Sequence, residues 1–418
     1  MGALRVQSKS IKKREVLRTC IPTDVVLWTS RWSHAASLTV NDNFVENLTI
    51  SPEPRKPAST SFSGQKHHAQ HDESAAPTSL NLADEDKSEK IADLIEQDEP
   101  ANGSSENNHL AAHQAPASSS ERDTAPFRCG YVAILGQPNV GKSTLLNALL
   151  HFKLSIVSPK PQTTRKRILG ILNRPASQMI FFDTPGILEA HYRLQQALVR
   201  AAFQAMREAD VQIMMIEPSA SPSPADLAIL NRLADTGKPI VLVINKIDTV
   251  AKDHLLPVIA AFQNKPNVKE IVPVSALHQD GIEALAEVLE KYMPLQEPFY
   301  DSELMTDHPE RFLAAEIVRE KIFLRYGEEI PYSTSVQIEE FVERPGHKDY
   351  IRAIIFVERE SQKGILIGKG GQALKQVGKL AREELEQLLG RPVYLELFVA
   401  VKERWRERES ELRSLGYL

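Results

Sequence analysis

The residues best equipped for chemistry are Gly136-Gln137-Pro138-Asn139-Val140-Gly141-Lys142-Ser143, followed by Thr144. They fit G-x-x-x-x-G-K-[ST], a spacing suited to cradling phosphate groups. Gly136 and Gly141 permit backbone angles and a close approach that a side chain would block. Successive N–H groups can then face one concavity at the positive end of a helix dipole. Lys142 would set a full charge beside the outer phosphates, and Ser143 a hydroxyl on Mg²⁺. A Gly-rich turn ahead of an ordinary helix carries the same glycines, so the flanks decide. The apolar run 131–135 has the character of a buried strand, and 144–150 that of the first turns of a helix.

Asp183-Thr184-Pro185-Gly186 ends the apolar run 178–182. The carboxylate could hold a metal-bound water. The Gly186 N–H could meet a terminal phosphate and move when it leaves. Alone, D-x-x-G is an ordinary turn; its place at a strand end after the phosphate loop gives it meaning. Asn245-Lys246-Ile247-Asp248 ends the run 240–244. Guanine offers N1–H and N2–H₂ together to one carboxylate and adenine does not, so Asp248 is the candidate that selects guanine. Asn245 would brace the loop and Lys246 pack along the base. Ser275-Ala276-Leu277 follows the run 271–274 and could give a backbone N–H to guanine O6. Between the first two motifs lies Pro161-Gln162-Thr163-Thr164-Arg165. A threonine here can complete a Mg²⁺ shell only while the γ-phosphate is bound, which makes the segment a switch. Thr164 is favoured over Thr163. Lys142, Thr164 and Gly186 are the candidates for the chemical step.

Alternating elements must position these groups. Strands are expected at 131–135, 168–172, 178–182, 211–216, 240–244 and 271–274, and helices at 143–151, 193–208, 224–236, 253–264 and 281–292. That alternation predicts a mostly parallel sheet with helices on both faces. Ligands in such sheets bind at the carboxyl ends of the strands, where every motif above falls.

After Pro294–Pro298 the pattern changes. The spacing predicts a helix over 308–324, with Phe312, Ala315, Val318 and Ile322 on one face. Strands over 334–342 and 350–357 flank a Pro345-Gly346 turn. A helix over 372–389 carries Leu374, Val377, Ala381, Leu385 and Leu388 at helical spacing, and 393–401 alternates cleanly. Gly368-Lys369-Gly370-Gly371 joins two helical segments and fits the G-x-x-G loop that clamps a single-stranded nucleic-acid backbone. A Gly-rich connection on a solvated basic face would look alike; the order of elements favours the clamp. The candidate contacts are Gly368, Lys369, Gly370, Gly371, Lys363 and Lys375. Residues 301–418 hold 19 Lys/Arg and 22 Asp/Glu, so affinity must come from a local groove.

The 418 residues leave room for two or three domains, and a net charge of −5 excludes a polybasic binder. Cys20 and Cys129 are too few for a disulfide framework, which points to a reducing compartment. No apolar run is long enough for a membrane-spanning helix. Residues 1–40 hold seven Lys/Arg against Glu15 and Asp24, with frequent Ser and Thr, the composition of an organelle transit peptide or of a basic tail. Residues 51–126 are polar, with an acidic run over 84–99, and are expected to be a disordered linker after a transit peptide over 1–50.

Taken in order, the motifs resemble the translation-factor-related GTPases, and most of all the Era family of ribosome-assembly GTPases. The resemblance rests on G-Q-P-N-V-G-K-S, P-Q-T-T-R, D-T-P-G, N-K-I-D and S-A-L, then on the C-terminal element order, V-K-E-R-W-R and the final L-G-Y. It implies an α/β P-loop GTPase domain over 127–298 and an α+β KH domain of type II over 299–418. It further implies hydrolysis of GTP to GDP and phosphate, with GTP/GDP and Mg²⁺ as ligands. Many GTPases orient water with a Gln after D-x-x-G; Ile187 stands here, so slow basal hydrolysis is expected. In similar GTPases a P-loop Asn helps bind K⁺, and Asn139 stands at the matching position. The implied partners are small-subunit rRNA, near its 3′ end, and the pre-ribosomal small subunit. A monomer is expected, with peripheral membrane association beside these partners. A GTPase coupled to RNA modification, or a membrane-associated signalling GTPase with a protein-docking C-terminal domain, are the competing functions. The chloroplast (stroma or nucleoid) is the expected location, with the mitochondrial matrix as the alternative.

Overall fold

The computed structural model describes residues 10–12, 126–187, 190–219 and 221–418. The expected leader and linker lie outside these residues, save for 10–12 and Pro126. Strand β1 (Ser10–Lys12) pairs antiparallel with a later strand, β8 (Leu304–Pro309). Residues 126–418 fall in one compact unit.

The nucleotide domain follows the expected alternation. β2 (Arg128–Gly136) leads through the phosphate loop into α1 (Lys142–Leu150). β3 (Ile168–Asn173), β4 (Ser177–Asp183), α2 (Arg193–Glu208), β5 (Val211–Ile216), α3 (Pro224–Ala234), β6 (Ile240–Ile244), α4 (Leu255–Phe262), β7 (Val268–Pro273) and α5 (Ile282–Tyr292) complete it. The sheet order is β3-β4-β2-β5-β6-β7, and only β3 runs antiparallel to its neighbour. β4, β5 and β6 are buried along their whole length, as a sheet covered on both faces requires. One apolar cluster lies on each face. The loops at the carboxyl ends of β2, β4 and β6 carry the phosphate loop, D-x-x-G and N-K-I-D.

Residues 299–309, counted with the C-terminal domain from the sequence, pack instead on the nucleotide domain. Thr306 Oγ1 donates to Leu169 O at 2.6 Å, Asn173 Nδ2 donates to Leu304 O at 3.2 Å, and Met305 joins the core of the sheet.

The C-terminal domain comprises α6 (Glu310–Arg325), the short helix α7 (Ile330–Ser333), β9 (Ser335–Val342), β10 (Asp349–Val357), α8 (Glu360–Ile367), α9 (Gln372–Leu389), β11 (Val393–Val401) and α10 (Glu409–Ser414). Its sheet runs β11-β10-β9; β10 is parallel to β11 and antiparallel to β9. Ile351, Ala353 and Ile355 of β10 and Val393 of β11 are buried against α6 and α9, with Leu395, Leu397 and Val399 half-buried beside them.

The expected inward stripe of α6 needs correction. Leu313, Ala314, Ile317, Val318, Ile322 and Phe323 are its buried apolar residues, whereas Phe312 and Ala315 are only partly covered. The cause is that α6 is covered on two sides: Leu313 belongs to the nucleotide core, and Ile317 and Val318 to the C-terminal core. A helix buried on two sides shows no single 100° stripe. On α9, Val377, Ala381, Leu385 and Leu389 are buried, while Leu374 and Leu388 are half-covered.

Candidate functional site

The phosphate loop closes on itself through Lys142. Its Nζ donates to Gln137 O at 2.8 Å and Gly136 O at 3.3 Å. The side chain is buried, and burial pushes its ammonium down to about 8, against the pull of the Asp183 carboxylate. An incoming phosphate would supply the negative charge that the free loop lacks.

Asp183 is fully buried at the end of β4. Its Oδ2 accepts from Ser143 Oγ at 2.7 Å and from Thr164 Oγ1 at 3.3 Å, and those two hydroxyls lie 2.8 Å apart. Its Oδ1 has no partner. Burial pushes this carboxyl up, against the Ser143 hydroxyl and the Lys142 charge. Two hydroxyls and a carboxylate with an orphaned buried oxygen are a donor set fitted to a hard cation such as Mg²⁺. Thr163 donates instead to Lys160 O, so the geometry separates the two threonines.

Gly186 packs against the phosphate loop. A Cβ there would meet the Pro138 backbone at 2.9 Å, so only glycine lets the D-x-x-G turn approach. Ile187 is turned into the apolar core. A cleft of about 240 Å³ is lined by Asn139, Lys142, Ser143, Pro159, Thr164 and Gly186, among others.

Asn245 bridges two loops. Its Nδ2 donates to Val140 O at 2.8 Å, and its Oδ1 accepts from Ala276 N at 3.0 Å. Asp248 faces solvent; the Ser275 hydroxyl donates to it and holds its carboxyl below the usual carboxylate range. Ser275 N is paired with Asp280 O and Ala276 N with Asn245, so of this triplet Leu277 keeps the amide open to a base. Lys246 sits in the left-handed region at φ 61° and pairs with Glu217.

At three of the expected contacts the side chain is engaged elsewhere. Gln137 Nε2 is held by Ser223 Oγ at 2.9 Å and Asp226 Oδ1 at 2.8 Å. Val140 is buried in the core. Thr184 donates its hydroxyl to Ile134 O at 2.7 Å. These positions can offer only backbone to a nucleotide.

The second site is a cleft of about 900 Å³ beside the G-x-x-G loop. Gly371, Lys375, Lys379 and Arg382 of the loop and α9, Leu397 of β11 and Arg325 of α6 line it. Gly368 has φ 71° and ψ 176°, a conformation that L side chains avoid. Lys369 is exposed at the loop tip. Of the expected contacts, Gly371 and Lys375 line this cleft; Lys363, on α8 and 3.9 Å from Glu360, does not, nor do Gly368, Lys369 and Gly370. Arg325 escaped sequence reasoning because it arrives from a helix 43 residues before Gly368 in the chain. The basic stretch 361–382 signals Lys379 and Arg382.

The fold and its two sites define a GTPase that carries a KH domain. Residues 131–246 match the family model of the 50S ribosome-binding GTPase, and 329–406 that of the KH domain. GTPase Era of Geotalea uraniireducens is 50% identical over 291 residues, 70% of this chain and 98% of that one. GTPase Era of Lacticaseibacillus paracasei is 43% identical over 288 residues, 69% and 96% of the two chains. A crystal structure of Era with MgGDPNP and nucleotides 1506–1542 of 16S ribosomal RNA is 46% identical, with a TM-score of 0.67 over 70% of this chain and 99% of that one. An Aquifex aeolicus Era variant bound to GDP·AlF4⁻ is 45% identical, with the same TM-score and coverage. The chain belongs to the Era GTPase family, and its expected activity is hydrolysis of GTP.

Proposed function

We propose that this chain is a GTP-controlled RNA-binding factor that assists small-subunit assembly, with hydrolysis timing its release from rRNA. The observation that carries the reading is that a cation-and-phosphate site and a G-x-x-G groove occupy one compact unit. The related Era structure solved with MgGDPNP and 16S rRNA supports the same pairing of ligands.

In this reading Ser143 and Thr164 would ligate Mg²⁺ directly and Asp183 through water. The ion, when bound, offsets charge on the β- and γ-phosphates. Lys142 neutralises the same oxygens, and the Gly186 N–H reports on the γ-phosphate. Asp248 accepts both guanine donors. Ile187, the residue next after D-x-x-G, is apolar and buried in the core, which supports slow basal hydrolysis. Asn139 Nδ2 donates to Pro159 O at 3.2 Å, so its Oδ1 is the amide oxygen left to meet a K⁺ beside the cleft. Faster hydrolysis in K⁺ than in Na⁺, lost in Asn139→Ala, is expected; equal rates in the two salts would remove the K⁺ assignment.

The basic, hydroxyl-rich first forty residues support delivery to a chloroplast or mitochondrion, whose bacterial-type ribosomes would supply the rRNA. The assembly role is tested with a single-stranded oligonucleotide of the small-subunit rRNA 3′ end. The protein bound to a non-hydrolysable GTP analogue should hold it more tightly than the GDP form. Equal affinity in the two forms would contradict the proposed control.

A further inference from the structure

Arg165 ends the P-Q-T-T-R segment and has no part in the nucleotide site described above. Its side chain is 3% exposed, and among the described residues it pairs with no carboxylate. A buried guanidinium without an acid is costly unless its donors are otherwise met. Here backbone carbonyls meet those of the two Nη atoms, while Nε has no partner among the described residues. Nη1 donates to Thr334 O at 2.6 Å, and Nη2 donates to Pro331 O at 2.8 Å and Tyr332 O at 3.1 Å. The plane also lies 5.5 Å from the centre of the Phe323 ring.

The remaining carbonyl of that run, Ser333 O, accepts from Trp405 Nε1 at 2.9 Å. Four successive carbonyls at the C-terminal end of α7 are therefore shared by Arg165 and Trp405. A helix C-terminus carries unsatisfied carbonyls and partial negative charge, so this end is a socket for a cation. Trp405 is fully buried in one cluster with Leu194 and Leu198 of α2, the helix after D-T-P-G, and with Leu412 and Leu415. Leu194 N donates to Arg406 O at 3.1 Å. The 161–165 segment and α2 thus reach two parts of the C-terminal domain that Trp405 joins. Lys160 reinforces the first through the carbonyls of Phe323 and Tyr326, and Lys166 through Leu415 O at 2.9 Å.

Adjacency supplies the logic. Thr164 points its hydroxyl at Ser143 and Asp183, and the next residue points into the α7 socket. One peptide unit cannot release the first without disturbing the second. We propose that Arg165 is a positioning residue that couples closure of Thr164 on the Mg²⁺ site to the pose of the KH domain, by seating in the carbonyl socket of 331–334. This deepens the proposed function and rests on GTP control of RNA binding. Coupling of this kind is reciprocal and is read as a ratio of affinities.

The test measures affinity for the same rRNA 3′-end oligonucleotide in the GTP-analogue and GDP forms of the full chain. In Arg165→Gln the ratio of the two affinities should fall to within about twofold of one. Arg165→Lys, whose single ammonium can reach part of the socket, should keep an intermediate ratio. Emission of Trp405, read in a Trp28→Phe, Trp32→Phe background, should differ between the two nucleotide forms and lose that difference in Arg165→Gln. A merely structural role would weaken RNA binding equally in both forms and preserve the ratio; that result overturns the proposal. Should Arg165→Gln not fold, an unchanged ratio and an unchanged emission difference in Arg165→Lys overturn it. A ratio of one in the unsubstituted protein would instead sink the GTP control on which the proposal stands.

Discussion

The two sites are built by opposite means. At the nucleotide site the groups around the phosphates are buried: Lys142, Thr164, Asp183 and Asn245 each expose 6% or less of their surface, while Asp248 at the base end faces solvent. In the KH groove the basic groups Lys375 and Lys379 stand in solvent on the face of α9. Burial fixes geometry and makes an unpaired group expensive, so each nucleotide contact is close to all-or-none. Exposed charges are screened and share the load, so each RNA contact is graded and salt-dependent.

The largest expected effect lies at the buried end of the comparison. Lys142→Ala should weaken guanine-nucleotide binding by about 3–4 kcal/mol, roughly 10²–10³-fold, by the usual cost of removing one partner of a buried charge contact. Isothermal titration checks this, and a loss below tenfold would place the lysine outside the phosphate contacts. Asp248→Asn keeps the Ser275 hydroxyl in reach but halves the acceptor, and should cost about 10–100-fold in GDP affinity. Gly368→Asp puts a like charge where the RNA backbone must approach, and should lower RNA affinity about tenfold at low salt, with the gap narrowing as salt rises. An effect that ignores salt would break the contrast between the two sites.

A smaller effect follows from the low Lys142 pKa. In the free protein this lysine loses its proton at about 8, whereas bound phosphates require the charged form. Nucleotide binding above that pH should therefore take up a proton, and affinity should fall several-fold per pH unit. Titration in buffers of different ionisation enthalpy measures the uptake. The sign for folding is opposite. Between about 8 and the ordinary lysine value of 10.5 the unfolded chain holds the proton that the folded one has lost, so this group favours the free folded state more as pH rises.

The same contrast explains what the sequence made legible. The nucleotide site is carried by contiguous motifs at strand ends, because each loop must satisfy its own backbone geometry around one ligand. Thr164, Asp183, Asn245 and Asp248 could be picked from such spacing. The groove is assembled from separated pieces, so Lys375 was visible beside the glycines and Arg325, from α6, was not. Segments whose partners lie in the other domain were the least legible. β8 leans on β3 through side chains, the four-residue α7 takes Arg165 on its carbonyls, and Trp405 packs with Leu194 and Leu198 of α2. Periodicity describes an element with one dry face; α6, with two, misled it.

Nucleotide recognition rests on buried amides and an ammonium that grip a polyphosphate while Asp248 selects its base. It is tested most directly by titrating the purified chain with GDP and with ADP under identical Mg²⁺ and salt. GDP should be retained at least about 100-fold more tightly, as a site built to hydrogen-bond its ligand discriminates against one lacking those donors. Equal retention of the two nucleotides would contradict it.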